Sequence, residues 1–457
     1  MTSKVDVIVI GSGQAGVPLS VKLAAAGKRV VLVERGELGG TCVNTGCTPT
    51  KTMIASARAA HVARTAERLG VTVDAVRVDF AKVRRRKDEM VERWREGVRK
   101  RLEHAPPNLE LVRGHARFVA PREVDVGGRR ISADAVVVDV GARPFAPNIP
   151  GLDGVPWLDN HRAMDLDALP SHLVVLGGGY VGCEFAQMFR RFGSEVTILE
   201  RGPHLMHPED EAISAEIEGV FAKEGIATLP AARIENVAVR NGGVAVRLEG
   251  GREIAGSHLL VATGRRPNTD DLGCDAAGLA LDERGFVVTN DHYETSAAGV
   301  FAVGDVSGGP QFTHVAWDDH RILFERLMGR PSRARSSRSY PYVAFTDPEV
   351  AGVGLNEKRA KERGVAYELA SLPFSKVARA SETDEPAGVL RVLLDPKTET
   401  VLGASIVGAT AGELVHCFVV LMEAKASARA IVDAEFAHPT FAEGVQSVVM
   451  ALERYSK

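Results

Sequence analysis

This chain of 457 residues lacks a strong charge imbalance, a long apolar run and a large set of cysteines. Its formal net charge is −3, so the sequence predicts no basic surface for nucleic acid. No uncharged apolar stretch approaches the roughly 20 residues of a membrane-spanning helix, which predicts no membrane contact. Residues 1–4 (MTSK) lead directly into an apolar strand. This start leaves no room for a signal peptide and predicts a cytoplasmic protein.

Only five cysteines are present, which limits the metal and disulfide chemistry of the chain. Cys183, Cys274 and Cys417 are scattered and supply no second ligand pair for zinc, so no metal site is predicted. Cys42 and Cys47 lie close together. Because a disulfide in a cytosolic protein is more often catalytic than structural, this pair is predicted to be a redox-active disulfide.

The spacing of Cys42 and Cys47, within the segment GGTCVNTGCTPTK, restricts the local backbone. Residues five apart in a regular α-helix have Cα atoms roughly 8 to 9 Å apart, whereas a disulfide needs about 4.4 to 6.8 Å. The helix must therefore be interrupted, and Asn44 and Gly46 tolerate the distortion. Pro49 suits a first helical turn. Cys47 is thus expected at a helix N-terminus, where a thiolate is stabilised.

A basic run, 84–87 (RRRK), is the strongest local concentration of charge. Acidic side chains interleave with it and follow it, at Asp88, Glu89, Glu92 and Glu96. This pattern is typical of the solvated face of a helix rather than of a polyanion site. It predicts a helix from about residue 80 to about residue 103.

The chain contains an internal repeat. One apolar strand leads into residues 11–16 (GSGQAG), a helix and a second strand that ends at Glu34. Another leads into residues 177–182 (GGGYVG), a helix and a strand that ends at Glu200, and in both copies the acid lies 23 residues after the first glycine. Such glycines let the backbone approach a pyrophosphate at a helix N-terminus, and the acid accepts a hydrogen bond from a ribose hydroxyl. The repeat therefore predicts two bound dinucleotides.

Three further apolar strands extend this plan. Two of them run into glycine turns at Gly141 and Gly264, and each is expected to close one nucleotide-binding sheet. The third, 299–303, is followed by Asp305. Beyond about residue 340, short strands alternate with helical stretches, which predicts an α+β domain.

These features predict an α/β protein with two Rossmann-like dinucleotide-binding domains and a C-terminal α+β domain. The linker 147–151 (PNIPG) marks the first crossing between domains. The expected segments are 1–150 and 271–340 for the first domain, 151–270 for the second and 341–457 for the third.

The glycine loops, the cysteine segment and the strand before Asp305 resemble the class I pyridine nucleotide-disulfide oxidoreductases, the family of glutathione reductase, dihydrolipoamide dehydrogenase and mercuric reductase. The resemblance spans essentially the whole chain. It implies an FAD domain completed by the strand before Asp305, an NAD(P)H domain, and a C-terminal domain that forms a homodimer. The implied enzyme is an NAD(P)H-dependent flavoprotein disulfide reductase that acts on a small disulfide or thiol.

The resemblance also implies roles for single residues. Cys47 would touch the flavin, and Cys42 would exchange with the substrate. Lys51 would lie near flavin N5 and pair with Glu184, while Tyr180 would gate the nicotinamide pocket. The residues expected to bind the two cofactors are Gly11, Ser12, Gly13, Gln14, Ala15, Gly16, Glu34, Arg35, Gly40, Thr41, Lys51, His115, Ala116, Gly141, Asp305, Thr313, Gly177, Gly179, Tyr180, Val181, Gly182, Glu200, Arg201 and Gly264.

The segment AHPTFAE near the C-terminus carries an acid–base pair. Thiol–disulfide exchange needs an acid to protonate the leaving thiolate and a base to regenerate the attacking one. A lone histidine is more often structural, but His438 with Glu443 five residues on matches the family's His-Glu pair, which the other subunit supplies. The resemblance therefore implies an active site shared between two subunits.

Departures from the family pattern bear on the substrate. Residues 48–51 (TPTK) and 374–380 (FSKVARA) resemble the mercuric reductase branch, but the chain ends LERYSK without a vicinal cysteine pair and lacks an N-terminal metal-capture domain. A disulfide is therefore favoured over mercuric ion. The alternatives are dithiol oxidation of the dihydrolipoamide type, metal-ion reduction of the mercuric type, direct quinone or oxygen reduction by flavin, and a dimeric binding protein. Asp139 and Val140 replace the usual Ala-Thr, and the sequence offers no physical reason for this change.

Glu200 and Arg201 bear on the electron donor. A carboxylate at Glu200 accepts hydrogen bonds from the 2′-hydroxyl of NADH and repels the extra phosphate of NADPH. Arg201 is adjacent and is able to pair with that phosphate. Because the carboxylate holds the motif position, the sequence favours NADH.

Overall fold

The computed structural model describes residues 3–455. Residues 1–2 of the N-terminal segment MTSK and residues 456–457 of the C-terminal segment LERYSK lie outside the described residues. The chain divides into two compact units, one made of residues 3–52, 84–145 and 264–338 and one made of residues 53–83, 146–263 and 339–455. This division groups residues 53–83 with the second unit, and the expected boundaries of the three domains stay a prediction.

Most helices and strands are joined by short connections, and a longer stretch without helix or strand covers residues 278–299. The strands are β1 (Ser3–Ile10), β2 (Val30–Glu34), β3 (Leu109–Arg113), β4 (Ala116–Ala120), β5 (Glu123–Val126), β6 (Arg129–Val138), β7 (Ala142–Pro144), β8 (His172–Leu176), β9 (Glu195–Leu199), β10 (Ala227–Leu229), β11 (Ile234–Arg240), β12 (Gly243–Leu248), β13 (Glu253–Gly256), β14 (His258–Val261), β15 (Arg265–Pro267), β16 (Val300–Ala302), β17 (Tyr342–Ala344), β18 (Glu349–Gly354), β19 (Glu368–Pro373), β20 (Val389–Leu394) and β21 (Val401–Gly408). The α-helices are α1 (Gly16–Ala25), α2 (Gly40–Asn44), α3 (Cys47–Arg64), α4 (Phe80–Glu103), α5 (Asn160–Met164), α6 (Tyr180–Phe192), α7 (Glu211–Lys223), α8 (Cys274–Ala277), α9 (Thr313–Leu327), α10 (Glu357–Glu362), α11 (Ala378–Glu382), α12 (Ala411–Glu423), α13 (Arg429–Val432) and α14 (Glu443–Met450). Short 3₁₀ helices cover Ala66–Leu69, Leu152–Gly154, Gly304–Ser307, Arg335–Ser337 and Phe374–Lys376.

The first unit is built on a seven-stranded sheet in the order β3-β2-β1-β6-β5-β4, with β16 paired to β6. Strand β1 is parallel to β2 and β6, and β16 is parallel to β6. Strand β5 pairs with the first half of β6, and β16 pairs with residues 136–138. Because both lie beyond β6, the prediction that this strand closes the sheet is wrong.

Residues of β1 alternate between two buried faces of this sheet. Val7 and Val9 pack in the apolar cluster that includes α1 and α9, whereas Ile8 and Ile10 pack in the cluster on the other face. A parallel strand covered on both sides needs a continuous apolar run, which is what the sequence has. The carboxyl ends of β1, β2, β6 and β16 meet at one edge, where a nucleotide site is expected.

The second unit contains a four-stranded parallel sheet in the order β10-β9-β8-β14. Helix α6 covers one face, where Phe185 and Phe189 pack in a cluster with Val175 and Ile198. On the other face, Val174 packs in a cluster with side chains of β12, which belongs to a three-stranded antiparallel sheet. Strand β14, which precedes Gly264, ends the parallel sheet as predicted.

The C-terminal part of the second unit is an antiparallel sheet of five strands in the order β17-β18-β21-β20-β19. Helices α12 and α14 contribute Phe418 and Val445 to a cluster with Ala404 and Ile406 of β21. The predicted fold class, two dinucleotide-binding α/β sheets followed by an α+β domain, is therefore confirmed.

Helix α4 spans Phe80–Glu103, as its charge pattern predicts. Its basic run is only partly solvated, because Lys87 is 4% exposed and its ammonium group lies 2.7 Å from a carboxylate oxygen of Asp88. The prediction of a solvated face is wrong for this residue. Among residues 3–455, no helix has both the length and the apolar character needed to cross a membrane.

Candidate functional site

The loop between β1 and α1 has no room for a side chain at its glycines. Gly11 has a φ of +109°, and a Cβ atom there would lie 2.2 Å from the carbonyl oxygen of Asp139. A Cβ atom on Gly16 would lie 2.0 Å from the carbonyl oxygen of Gly11. Helix α1 begins at Gly16, and Ala15 before it supplies no capping hydrogen bond from its side chain. Close-packed backbone at a helix N-terminus is the kind of cradle that holds a diphosphate.

Glu34, at the end of β2, is held by the same loop. Its Oε2 atom accepts hydrogen bonds from the Ser12 backbone N–H at 2.9 Å and from the Ser12 hydroxyl at 2.6 Å. Its Oε1 atom accepts a hydrogen bond from the Gly36 N–H at 2.7 Å. The carboxylate is thus fixed at the carboxyl end of the sheet, with lone pairs left for a ribose hydroxyl.

The loop between β8 and α6 repeats the geometry of the first loop. Gly177 has a φ of +101°, and a Cβ atom there would lie 2.6 Å from the carbonyl oxygen of Ala262. A Cβ atom on Gly182 would lie 1.9 Å from the carbonyl oxygen of Gly177. Gly179 is the residue before the first turn of α6.

Glu200 follows β9 and repeats the position of Glu34. Its carboxylate accepts hydrogen bonds from the Gly178 N–H at 2.6 Å and the Gly202 N–H at 2.5 Å. Arg201 beside it and Val181 in the first turn of α6 are both exposed. The second loop therefore has the same backbone cradle and the same positioned carboxylate as the first.

Tyr180, the first residue of α6, is tied to a buried carboxylate. Its hydroxyl donates a short hydrogen bond to one oxygen of Glu209, and the hydroxyl of Tyr342 donates to the other at 2.7 Å. Glu209 is 3% exposed, and burial raises its pKa. The rings of Tyr180 and Tyr342 stack with centroids 5.6 Å apart. No local pattern in the sequence indicates either partner of Tyr180.

The cysteine pair spans a break between two helices. Helix α2 ends at Asn44 and α3 begins at Cys47, which confirms the predicted helix N-terminus at that cysteine. Thr45, with a φ of −139°, and Gly46 lie between the two helices, so the distortion expected at Gly46 is confirmed and the one expected at Asn44 is wrong. Gly46 is required by space, because a Cβ atom there would lie 2.9 Å from the carbonyl oxygen of Thr41.

Cys42 and Cys47 are both in the thiol form and interact through their sulfur atoms. The hydrogen bond with Cys47 raises the pKa of the Cys42 thiol, and burial raises it further, while Thr313 and Lys51 act in the opposite direction. The Cys47 sulfur lies 3.1 Å from the Thr313 hydroxyl. Four expected site residues therefore meet at the start of α3 and α9.

Lys51 and Glu184 were expected to pair, and they belong to different units. Lys51 lies in α3 within the first unit, and Glu184 lies in α6 within the second. Glu184 is 4% exposed, and its carboxylate accepts a hydrogen bond from the Phe345 N–H at 2.8 Å. The pairing of Lys51 with Glu184 stays a prediction.

His438 and Glu443 come together as expected. The imidazole Nδ1 lies 2.9 Å from one carboxylate oxygen of Glu443, and the other oxygen accepts a hydrogen bond from the Thr440 N–H at 2.8 Å. Glu443 raises the pKa of His438 through this hydrogen bond, and the Thr440 N–H lowers the pKa of Glu443. The histidine side chain is 67% exposed. Glu443 thus orients an accessible imidazole.

Arg35 and His115 both contact Asp271, a residue that the sequence did not indicate. The Arg35 guanidinium lies 3.1 Å from a carboxylate oxygen of Asp271, and the His115 Nε2 atom lies 3.2 Å from the Asp271 carbonyl oxygen. Asp271 follows β15 in the chain, far from both. Only the fold brings these three residues together.

The other expected cofactor residues lie in loops and at element ends. The Gln14 side-chain amide donates to the Gly39 carbonyl oxygen at 3.3 Å. A Cβ atom on Gly40 would lie 2.9 Å from the Gly13 Cα atom, so α2 begins against the first glycine loop. The remaining positions are Ala15 before α1, Thr41 in α2, Ala116 at the start of β4, and Gly141 and Gly264 in left-handed turns.

One buried and one partly buried carboxyl group complete the first unit's site. Asp139 is 7% exposed, and its Oδ2 atom accepts a hydrogen bond from the Gly16 N–H at 2.7 Å. Burial raises the pKa of Asp139 well above its usual range. Burial also raises the pKa of Asp305, while Arg265, with Nε 3.6 Å from Oδ2, acts in the opposite direction. The position that departs from the family pattern is therefore part of the glycine loop.

Comparison with known proteins identifies the family of this chain. The model of the pyridine nucleotide-disulphide oxidoreductases matches residues 5–319, and the model of their dimerisation domain matches residues 340–449. The chain belongs to this family. Enzymes of the family are NAD(P)H-dependent flavoprotein disulfide reductases, and so is this protein. FAD and a pyridine nucleotide are their typical cofactors, and the dimerisation domain supports a homodimer.

Relatives within the family differ in what they act on. A mercuric reductase of Lysinibacillus sphaericus is 34% identical over 98% of this chain and 83% of its own length. A dihydrolipoyl dehydrogenase of Thermus scotoductus is 34% identical over 98% and 97%. The probable pyridine nucleotide-disulfide oxidoreductase RclA of Escherichia coli is 34% identical over 98% and 99%. The structure of its Cu(II) complex matches with a TM-score of 0.89 at 33% identity, covering 98% of this chain and 99% of RclA.

Proposed function

We propose that this enzyme takes an electron pair from NADH and delivers it, through FAD and a Cys42–Cys47 disulfide, to a small disulfide substrate. The observation that carries the proposal is the contact between the two thiols at the break between α2 and α3. FAD, when bound, supplies the two-electron chemistry that links the nicotinamide to the dithiol. Cys47 is the exposed thiol of the pair and starts α3, which suits it to face the flavin.

The residues present fit both cofactors. In the first unit, the loop from Gly11 to Gly16 would hold the FAD diphosphate, and Glu34 would bind a ribose hydroxyl. In the second unit, the loop that begins at Gly177 and the carboxylate of Glu200 would hold NADH in the same way. NADH is proposed over NADPH because an anionic carboxylate at this position repels a 2′-phosphate.

Cys42 is the proposed exchange thiol. Its raised pKa means that it keeps its proton until a base removes it. The Cys42 sulfur then attacks the substrate disulfide, so that a bond forms to one substrate sulfur, the substrate S–S bond breaks and the first thiolate leaves. Cys47 attacks the Cys42 sulfur, re-forms the protein disulfide and releases the second thiolate. Two electrons from one NADH thus convert one disulfide into two thiols.

His438, oriented by Glu443, is the proposed acid and base of this exchange. It would remove the proton from Cys42 and then give it to the leaving thiolate. Reduction of a metal ion has no leaving thiolate to protonate, so the His438–Glu443 contact favours a disulfide, although a mercuric reductase is among the relatives. Dithiol oxidation, as in the dihydrolipoyl dehydrogenases, would use the same groups in reverse.

Cysteine variants test the exchange step. We expect Cys42→Ser to abolish NADH-dependent reduction of a disulfide panel containing oxidised glutathione, cystine and lipoamide, while NADH still bleaches the flavin. Cys417→Ser is the matched control, because Cys417 is another half-buried thiol, located on α12. Full disulfide reduction by Cys42→Ser would instead support direct electron transfer from flavin.

We further propose that His438 of the partner subunit serves each Cys42, as in the family. Cys42→Ser and His438→Ala should each be inactive with disulfides. Mixed under subunit exchange, they should recover part of the activity, because one of the two sites in a heterodimer would be intact. The absence of recovery despite demonstrated exchange would contradict a shared site.

A further inference from the structure

The carboxyl group of Asp139 fills the space beneath the first glycine loop. A Cβ atom built on Gly13 or Gly16 would lie 2.9 Å from Asp139 Oδ2, and one built on Gly304 would lie 2.9 Å from Oδ1. Its Oδ2 atom accepts the Gly16 N–H, which belongs to the first turn of α1. A carboxyl group therefore occupies the helix N-terminus that the FAD diphosphate is proposed to use.

Three other carboxyl groups lie around Asp139 and have different partners: two accept several hydrogen bonds, and the third is close to an arginine. Glu34, on β2, accepts hydrogen bonds from Ser12 and Gly36. Asp319, on α9, accepts them from the Tyr293 hydroxyl, the Gly304 N–H and the Arg338 guanidinium. Asp305, in the 3₁₀ helix after β16, lies 3.6 Å from the Arg265 guanidinium.

Asp139 has little support for a negative charge. Within residues 3–455, its carboxyl group accepts one hydrogen bond, from Gly16, and forms no ion pair. Burial is the main cause that raises the pKa of Asp139, the Gly16 N–H lowers it, and the charges of Asp305, Asp319 and Glu34 raise it further. A buried carboxyl group with a single hydrogen bond and no ion pair favours its neutral form.

The second loop shows that a carboxyl group is not needed to build this geometry. Ala262 occupies the position of Asp139, because the backbone N–H of each donates to the last residue of the central strand, at 2.8 Å in both units. The Gly177 loop keeps its conformation beside a methyl group. Asp139 thus has a role other than support of the loop.

We propose that Asp139 is a flavin-binding residue of this protein: it holds the N-terminus of α1 with a neutral carboxyl group, and FAD binds to that protonated form. The proposal rests on FAD binding in the first unit. An ionised Asp139 would repel the diphosphate and compete with it for the positive end of the helix. A neutral carboxyl group satisfies the Gly16 N–H without that repulsion.

The sign of the pH dependence follows from linkage. Bound diphosphate favours protonated Asp139, and by reciprocity the protonated protein favours FAD. Affinity for FAD is therefore constant while Asp139 is protonated in the FAD-free protein. It falls as pH rises above the pKa of Asp139 in that state, and one linked proton makes Kd rise about tenfold per pH unit.

Release of FAD from the loaded enzyme measures this dependence without any turnover. The holoenzyme is diluted at settings from about pH 6 to about pH 9, and the fluorescence of released flavin gives Kd. Asp139→Asn keeps the shape and stays neutral, and Asp139→Ala restores the residue usual in the family. Asp134→Asn is the matched control, because Asp134 lies on β6, is exposed and pairs with Lys4 on the surface.

We expect the Kd for FAD to rise with pH in the wild type and in Asp134→Asn, and to stay constant with pH in both Asp139 variants. At the highest pH the neutral variants should bind FAD at least about tenfold more tightly than the wild type. The same pH profile in wild type and Asp139→Asn, or in wild type and Asp139→Ala if the first variant does not fold, overturns the proposal. A wild type that binds no FAD at any pH would instead contradict the proposed function.

Discussion

The loop that follows β1 and the loop that follows β8 have the same backbone plan and differ in one side chain beneath it. The first glycine of each loop donates its N–H to the backbone carbonyl oxygen of the residue just before the acid. The distance is 2.8 Å from Gly11 to Val33 and 2.9 Å from Gly177 to Leu199. Below the loop, the first unit places Asp139 and the second places Ala262. The backbone therefore provides the nucleotide cradle. The residue that follows β6 in the first unit, or β14 in the second, sets the charge beneath the loop.

The surroundings of the two acids differ as well. Arg35, next to Glu34, is tied to Asp271, whereas Arg201, next to Glu200, is exposed. The Ser12 hydroxyl gives Glu34 a hydrogen bond for which Gly178 has no counterpart. Glu34 is thus held by three hydrogen bonds and Glu200 by two, and within residues 3–455 Arg201 forms no ion pair like that of Arg35.

Alanine at the first glycine of each loop should give the largest effects and separate the two units. In Gly11→Ala the new Cβ atom meets the Asp139 carbonyl oxygen at 2.2 Å, and in Gly177→Ala it meets that of Ala262 at 2.6 Å, both at positive φ. We expect Gly11→Ala to purify without FAD. Gly177→Ala should keep FAD but lose its reduction by NADH.

Flavin absorbance and stopped-flow reduction measure the two outcomes. Gly97→Ala is the control, because a Cβ atom on that α4 residue meets no described atom within 4 Å. It should leave both FAD content and NADH reduction unchanged. If Gly177→Ala also lost its FAD, the two loops would not act as independent sites.

Transfer of the carboxyl group to the second loop is the next test of the comparison. Gly179 corresponds to Gly13, whose Cβ atom would contact the Asp139 carboxyl group. A Cβ atom on Gly179 would have no described atom within 4 Å, so the second loop has space for the carboxyl group of Ala262→Asp. We expect NAD⁺ affinity to fall by about 10- to 100-fold at high pH, and less at low pH, because the new carboxyl group is buried beside the diphosphate. Titration of the oxidised enzyme with NAD⁺ at both pH values measures this, with Ala262→Asn as control. Equal loss in both variants would indicate a steric effect.

The choice between NADH and NADPH depends on Glu200 and Arg201, with an expected effect of about tenfold. Glu200→Ala should lower kcat/KM for NADH and narrow the gap to NADPH, since it removes both the ribose acceptor and the repulsion of a phosphate. Arg201→Ala should weaken NADPH alone. A wild type that prefers NADPH by more than about tenfold, with the preference lost in Arg201→Ala, would reverse this interpretation.

The parts of the molecule that the sequence predicts are those with local signals. The glycine loops, the acids that end the second strands, helix α4 and the position of Cys47 all depend on residues close in the chain. Asp139 was visible only as a departure, since its meaning depends on β6 lying beside β1 and bringing it to Gly16, 123 residues away. Asp271 and Glu209 gave no signal, because their partners come from distant segments.

Tyr180 offers the smallest and most specific test of the second unit. As the expected gate of the nicotinamide pocket, it must move when NADH enters. This movement breaks the hydrogen bond from the Tyr180 hydroxyl to Glu209. Hydrogen bonds to charged groups contribute about 1.5 to 3 kcal/mol. The pKa of Tyr180 is raised by burial, so the hydroxyl remains a donor in the closed position.

Tyr180→Phe should therefore bind NAD⁺ more tightly than the wild type, by about threefold to tenfold, because the gate opens without breaking that bond. Tyr342→Phe is the matched control: it removes the other hydrogen bond to the same carboxylate and leaves that of Tyr180 in place. It should lower thermal stability without changing NAD⁺ affinity. Equal affinities in wild type and Tyr180→Phe would mean that Glu209 does not hold the gate, and that the contact contributes only to the stability of the second unit.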